Sequence, residues 1–418
     1  MAMFEFGRDI RKLFGEARDS DELGWLELIG VDLLAIEARA LTTDGGRVSC
    51  RHPARTWLRA SILWREHARR TGLRDSISKA IVTADDSFKA TTNEDEQARA
   101  GLSRAMALLT SFDLFGDRDA LDEAASSARE TAPRRLATLA FSAGVHARIR
   151  ARQARLSDTT ADRLDAAALM DAALHAMAKH NPTEADDLRL DNAALALEGG
   201  IVQRDPRLLD QAGRDLKALV EASSPDTRPL TRARALALCG AGLSALAVMA
   251  DDAGAIEAGH AMFEAAADQF TPDHSPMDWV AIQVARAVDA ATPIEPLMQA
   301  EALTSGHGTI LGGLALDLLI AREIERALDG GDLMSLTRIE TRVRRRLAER
   351  VGAPSAVEWA IDQIGMARVM IARSQLMGTE PDQAAFILSE AAEAASDHGV
   401  PVLADRAKGL MRGLSVRA

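Results

Sequence analysis

Apolar residues recur along most of this chain at the spacing of one helix face. Leu209, Ala212, Leu216 and Leu219 follow it in one segment, and Ile256, Gly259, Phe263, Ala266 and Phe270 in another, with polar residues between them. A second kind of segment is apolar over a wider arc, as in Leu188, Leu190, Ala194, Leu195, Leu197 and Ile201. That pattern suits a helix packed on both sides. The two kinds alternate. Prolines mark where the wide-arc helices begin: Asn181-Pro182, Arg228-Pro229 and Ser275-Pro276 stand 47 residues apart, and proline fits the first helical position, where its missing N–H would be unpaired anyway. Asp205-Pro206 and Asp251-Asp252 divide the intervals, so each unit is predicted to be a helical hairpin.

The same punctuation extends over most of the chain. Pro53, Asn93 with Glu96 as a capping-box partner, Pro133, Pro354 and Pro401 open further units, and Ser305–Gly308 is the break expected between Pro276 and Pro354. Leu121-Asp122, Leu164-Asp165, Leu209-Asp210 and Ile256-Glu257 recur 43, 45 and 47 residues apart at the starts of the second helices. Seven or eight repeats of 40 to 49 residues predict an all-α solenoid of antiparallel hairpins without strands. Gly240, Gly242, Ala143 and Gly144 are expected where helices cross closely, and Ala235–Ala250, uncharged but too short to span a bilayer, as a buried core helix.

Residues 1–50 stand outside the repeat. Phe6, Ile10, Leu13 and Phe14 share one helical face, and a second helix through Trp25, Leu28, Ile29, Leu33 and Ile36 is expected to end at a Thr42–Gly46 loop. This segment is expected to cap the first hairpin, with membrane-surface docking or a homodimer contact as alternatives.

The pattern at 53–418 resembles the tetratricopeptide-repeat (TPR-like) superfamily, with paired helices, small residues at crossings and a proline after the second helix. The repeat exceeds the family's 34 residues, and the chain has no tyrosine for its aromatic positions. The resemblance implies a right-handed superhelix whose first helices line a concave surface that holds a peptide or protein.

The chain's 62 acidic and 50 basic residues give a net charge of −12, which argues against a nucleic-acid partner. Two distant cysteines suggest neither disulfide nor zinc site and fit a reducing cytoplasm, and the bias toward arginine (six of the 50 basic residues are lysine) suggests a bacterial source. No metal motif, nucleophile elbow or phosphate loop emerges. Gly306–Gly313 lacks the strand and lysine of a P-loop, the acidic pairs Asp186-Asp187 and Asp251-Asp252 suit helix N-termini, and the histidines are expected at the surface. No cofactor, metal or reaction is therefore expected.

Clustered arginines are the strongest functional signal. Residues 51–74 hold one cluster and 342–350 another. In the third, Arg148, Arg152 and Arg155 share a helix face with Arg134 upstream. With Arg189, Asn192 and Arg232 on the next first helices they form a candidate anion-attracting strip for an acidic protein or peptide, and neutralising Arg148 and Arg152 is expected to spare stability. The function expected is a protein-interaction scaffold or adaptor. The alternative is a regulator that senses a small peptide or nucleotide. An open charged groove would favour the first, and a closed pocket with convergent polar groups and a perturbed titratable residue the second, or an enzyme whose residues converge only in three dimensions.

Overall fold

The computed structural model describes residues 24–157, 159–288, 292–349, 356–381 and 383–415. The first amphipathic segment, with Phe6, Ile10, Leu13 and Phe14, and the unit boundary at Pro354 lie outside them. The described residues are helical, without strands. A short 3-10 helix, Gly24–Leu28, precedes α1 (Val31–Gly45), and the hairpins follow: α2 (Pro53–Thr71) with α3 (Arg74–Lys89), α4 (Glu94–Phe115) with α5 (Arg118–Arg129), and α6 (Leu136–Ser157) with α7 (Thr160–Met177). Next come α8 (Pro182–Gln203) with α9 (Pro206–Ala222), α10 (Pro229–Ala250) with α11 (Ala253–Ala267), and α12 (Pro276–Arg286) with α13 (Glu295–Thr304). The last are α14 (Ile310–Asp329) with α15 (Leu333–Glu349), α16 (Ala356–Met377) with α17 (Ala384–Asp397), and α18 (Pro401–Ser415).

Local chemistry sets these boundaries as the punctuation implies. Pro182, Pro206, Pro229 and Pro276 each open a helix. The side chains of Asn93, Asn181, Asp205 and Asp252 accept hydrogen bonds from the first-turn amides, satisfying donors that have no partner within the helix. Thr309 does the same for α14, after Gly306 and Gly308 turn the chain in the left-handed region.

Three local expectations are corrected. α6 begins at Leu136 and leaves Pro133 in the preceding loop. Thr42–Gly45 is the last turn of α1, because Thr42 and Thr43 donate to carbonyls four residues back, and Trp57 and Trp64 donate to Thr42. The helix expected through Trp25 and Ile36 is broken at Ile29-Gly30. Its buried face is Leu34, Ala38 and Leu41, leaving Leu33 and Ile36 exposed.

Small residues do set the crossings. Where α10 meets α11, a Cβ on Gly240 would lie 3.0 Å from the Gly259 carbonyl oxygen and 2.9 Å from the Phe263 ring. Gly240→Ala should therefore be destabilising, since overpacking costs about 1–3 kcal/mol against at most about 1 kcal/mol gained in helix propensity. Gly213 of α9 has nothing within 4 Å of a Cβ position, so Gly213→Ala should stabilise by about 0.5–1 kcal/mol. Urea midpoints of the two variants on either side of wild type would check both. α10 itself is only part buried, with Leu230, Ala235 and Ala247 inside and Val248 exposed.

Tertiary packing joins units remote in sequence. α2 packs on α12 and α4 on α14, through a cluster of Ala68, Ile77, Leu114, Phe115 and Met277 with Leu311 of α14 packed against it. Farther along, Val357 and His398 sit against Gly116, and the His398 ring is 2.8 Å from the Gly116 carbonyl oxygen. The 3-10 helix is held against α10 by Glu27, which accepts from Arg228 at 2.6 Å and from the Thr231 backbone at 2.9 Å. The array thus folds back on its own start, and its first helices face a shared interior.

Candidate functional site

Six first helices, α2 to α12, bring charged side chains to that interior. Each carries an otherwise apolar face, and the charges pair one repeat along. Arg148 of α6 donates to Asp191 of α8 at 2.7 Å, and Arg234 of α10 holds Asp278 of α12 through two bonds of 3.0 and 2.6 Å. Their partners stand 43 and 44 residues further on. Arg152 bridges Asp113 of α4 and Asp191, 2.8 Å from each. The Arg148 side chain is 3% exposed, and a second carboxylate, Glu184, lies 3.6 Å from it.

Two cavities lie along this network. The inner one, about 340 Å³, is walled by apolar groups that include Leu109, Leu238, Phe270 and Ile282, and by Arg65, Arg69, Arg148, Arg152 and Arg234 facing Asp113, Asp187, Asp191 and Asp278. The outer one, about 390 Å³, opens at the N-terminal ends of α2, α4 and α8 between Arg55, Arg59, Arg99 and Arg135. Arg65 borders both. Its 3.9 Å ion contact with Glu184 stands between the two cavities.

The inner network is incompletely matched. Arg234 Nη1 is buried with no hydrogen-bond acceptor, and Glu184 Oε2 with no donor. Asp187 receives no hydrogen bond among the described residues, its nearest cation being Arg69 at 4.0 Å. Burial, reinforced by Glu184 and Glu66 against the pull of Arg69 and Arg148, pushes its carboxyl up to about 6. Asp191 experiences the same desolvation, but Arg152 and Arg148 outweigh it and hold the carboxyl down to about 2. Two carboxylates four residues apart on α8 thus have opposite protonation tendencies.

Asp187 makes a stability prediction. Its folded pKa lies above the ordinary carboxylate value of about 3.9, so the native state holds the extra proton between about 4 and 6. The stability from this group is present below about 4 and lost as the pH rises through 6. Asp187→Asn should therefore be more stable than wild type by about 3 kcal/mol at neutral pH. Below pH of about 4 the two should converge. Chemical denaturation at both pH values measures the difference.

No protein-family model, curated protein or solved structure matches the chain. The site is therefore read from its own geometry.

The structure distributes the seven arginine-strip candidates differently from the sequence expectation. Arg148 and Arg152 reach the inner cavity, but as buried halves of ion pairs, and neutralising them would leave Asp191 and Asp113 without counter-charges and Glu184 with only the 3.9 Å contact of Arg65. The expectation that stability would be spared is corrected on that ground. Arg155 shares their helix face and pairs with Glu198, and Arg189 pairs with Asp186 at 2.5 Å. Arg134 precedes α6 and pairs with Glu94. Asn192 donates to Asp171 on α7, away from the interior, and Arg232 donates to the Val220 and Ser223 carbonyls at the end of α9. The second cluster is also internally paired, with Arg342 on Glu323 and Arg346 on Asp362.

Several site residues escaped the sequence reading. Asp187 suits a helix N-terminus, and Arg234 and Asp278 are not among the residues singled out from the sequence. The available signal was the recurrence of an arginine and a carboxylate one repeat apart, at positions where the helix face is otherwise apolar. His67 was expected at the surface. It is instead buried, 2.9 Å from Ser76 Oγ, and burial followed by Lys79 pushes its pKa down to about 4.

Proposed function

We propose that this chain is a TPR-like ligand receptor, a regulator without a reaction of its own that binds a small molecule or short peptide at the interior of its helical array. The observation that carries this reading is the inner cavity, where charged groups from six first helices converge and Arg234 and Asp187 remain incompletely matched. Buried polar groups without partners cost free energy, and a ligand that completes them recovers it. The cavity falls in the size range of small-ligand sites, roughly 300–1,000 Å³. Because the first helices meet there, occupancy alters the packing of consecutive hairpins.

In this reading the protein partner is met outside. Leu164, Leu169, Ile256 and Phe386 are exposed on the second helices, which move with the first helices they pack on. The adaptor role is thus retained as the output. Its basic concave strip is replaced by an internal ligand and an outer face. The net charge of −12 disfavours nucleic acid as that partner.

The test is differential scanning calorimetry of the purified chain with and without the low-molecular-weight fraction of an extract of its source cells. A rise in Tm that dialysis reverses is the expected result, because a ligand that binds only the folded state stabilises it by mass action. An unchanged Tm would overturn the receptor reading.

A further inference from the structure

We infer that the inner cavity recognises a zwitterion carrying an apolar side chain, with the ligand's ammonium group at Asp187 and its carboxylate at Arg234 and Arg65. This inference rests on the receptor reading and deepens it.

Charge balance makes the first argument. The inner wall sets five guanidinium groups against four carboxylates. Behind the wall, Glu66 lies 3.9 Å from Arg234 and Glu184 3.6 Å from Arg148, while Arg70 pairs with Glu66 at 2.7 Å, so the two signs balance. A ligand with a large net charge of either sign would leave this buried network unbalanced, whereas a zwitterion preserves the balance.

Unmatched groups of both signs make the second. Arg234 has Nε and Nη2 committed to Asp278, while its Nη1, also buried, has no acceptor. Arg65 is largely buried, with 12% of its side chain exposed, and among the described residues it donates no hydrogen bond. Both suit a carboxylate, which accepts from guanidinium groups through two oxygens. Asp187, with no donor on its oxygens, suits an ammonium group. The two ends are connected through the protein: Asp187 faces Arg69, Arg69 lies 3.0 Å from Glu66, and Glu66 faces Arg234. Between them the wall is apolar, with Leu238, Phe270 and Ile282 available to a side chain that avoids water.

This chemistry is shared by free apolar amino acids and by short apolar peptides, and titration distinguishes them. Isothermal titration calorimetry of the full chain would use L-leucine, the dipeptide Leu-Leu, N-acetyl-leucine, which lacks the ammonium group, and leucinamide, which lacks the carboxylate. Binding of leucine or Leu-Leu is expected, the tighter one naming the source, with the blocked compounds weaker by at least about tenfold. Asp187→Asn should lower affinity for the zwitterion by about tenfold or more without lowering the urea midpoint, and Arg65→Gln should do the same from the carboxylate side. Leucinamide or N-acetyl-leucine binding as tightly as leucine would overturn the inference. So would zwitterion binding unaffected by both substitutions. If no zwitterion binds while the cell extract still raises Tm, the zwitterion assignment fails and the receptor reading stands. If neither has an effect, both fail.

Discussion

The double substitution Arg148→Glu, Arg152→Glu should abolish the folded state. Arg148 is enclosed between Asp191 and Glu184, and Arg152 between Asp113 and Asp191. Removing one partner of a buried ion pair costs about 3–5 kcal/mol, because the charge left behind is neither paired nor hydrated. Here two cations are lost and two carboxylates are added beside three existing ones. The total rivals the 5–15 kcal/mol that holds a typical folded protein together. The expected result is insoluble expression, or a circular dichroism spectrum without a cooperative thermal transition.

Milder variants separate the electrostatic cause from a loss of packing. Arg148→Ala should cost about 3–5 kcal/mol. The pair Arg148→Ala, Asp191→Ala should cost clearly less than the sum of its parts, since residues in direct contact are not additive. Arg155→Ala, whose partner Glu198 is partly solvated, should cost less than about 1 kcal/mol. A soluble double-glutamate variant with an unchanged urea midpoint would mean that the ion pairs across α6 and α8 contribute nothing to the fold.

Arg70→Ala is the second large effect. Arg70 is fully buried in α2, and every branch of its guanidinium group is engaged. Nε donates to Glu66 at 2.7 Å, Nη1 to the Ile29 carbonyl at 2.8 Å, and Nη2 to the Leu26 carbonyl at 2.8 Å. The last two acceptors end the 3-10 helix and the break before α1, where the backbone has few partners of its own. Truncation strands the Ile29 carbonyl, leaves the Leu26 carbonyl only a long 3.5 Å bond from the Ile29 amide and removes the closest counter-charge of Glu66, for an expected loss of about 3–5 kcal/mol.

The loss should be local first. Hydrogen exchange should show residues 24–45 losing protection before the hairpins from α4 onward, because Arg70 and the Glu27 contacts with α10 both fasten this segment. Arg70→Lys should not restore it, as one ammonium group cannot reproduce a planar fork that reaches three acceptors in different directions. If Arg70→Ala lost less than about 1 kcal/mol, or if Lys behaved like Arg, the fork would not be what holds the N-terminal segment.

Much of the local architecture was legible in the residues themselves. Proline at a first helical position, an Asx side chain before it and an apolar stripe at helical spacing all act over a few residues, so Pro182, Pro229, Asp205 and Asp252 could be read without knowing what surrounds them. The same holds for Gly240, whose value lies in a missing side chain at a crossing. Where nearby chemistry was ambiguous, the reading slipped. Thr42 and Thr43 resemble loop residues until Trp57 and Trp64 are seen holding them, and the face that α1 buries depends on α2 lying against it.

The candidate site depended on tertiary structure. Arginine and carboxylate positions are visible in the chain, and the face shared by Arg148, Arg152 and Arg155 follows from helical geometry. Whether such a face meets water or another helix depends on how each hairpin rotates onto the next, a quantity that sums small angles over the array. That sum brings α12 back to α2 and sets charged faces of six first helices against one another. There desolvation changes the meaning of each charge: Arg148 becomes a structural pair, Asp191 a stronger acid than usual and Asp187 a weaker one. Sequence by itself therefore determined the helices, their pairing and their repeat, because those rest on short-range sterics and hydrogen bonding. Only the tertiary structure decided which charges were buried together, because burial is a property of the whole assembly of helices.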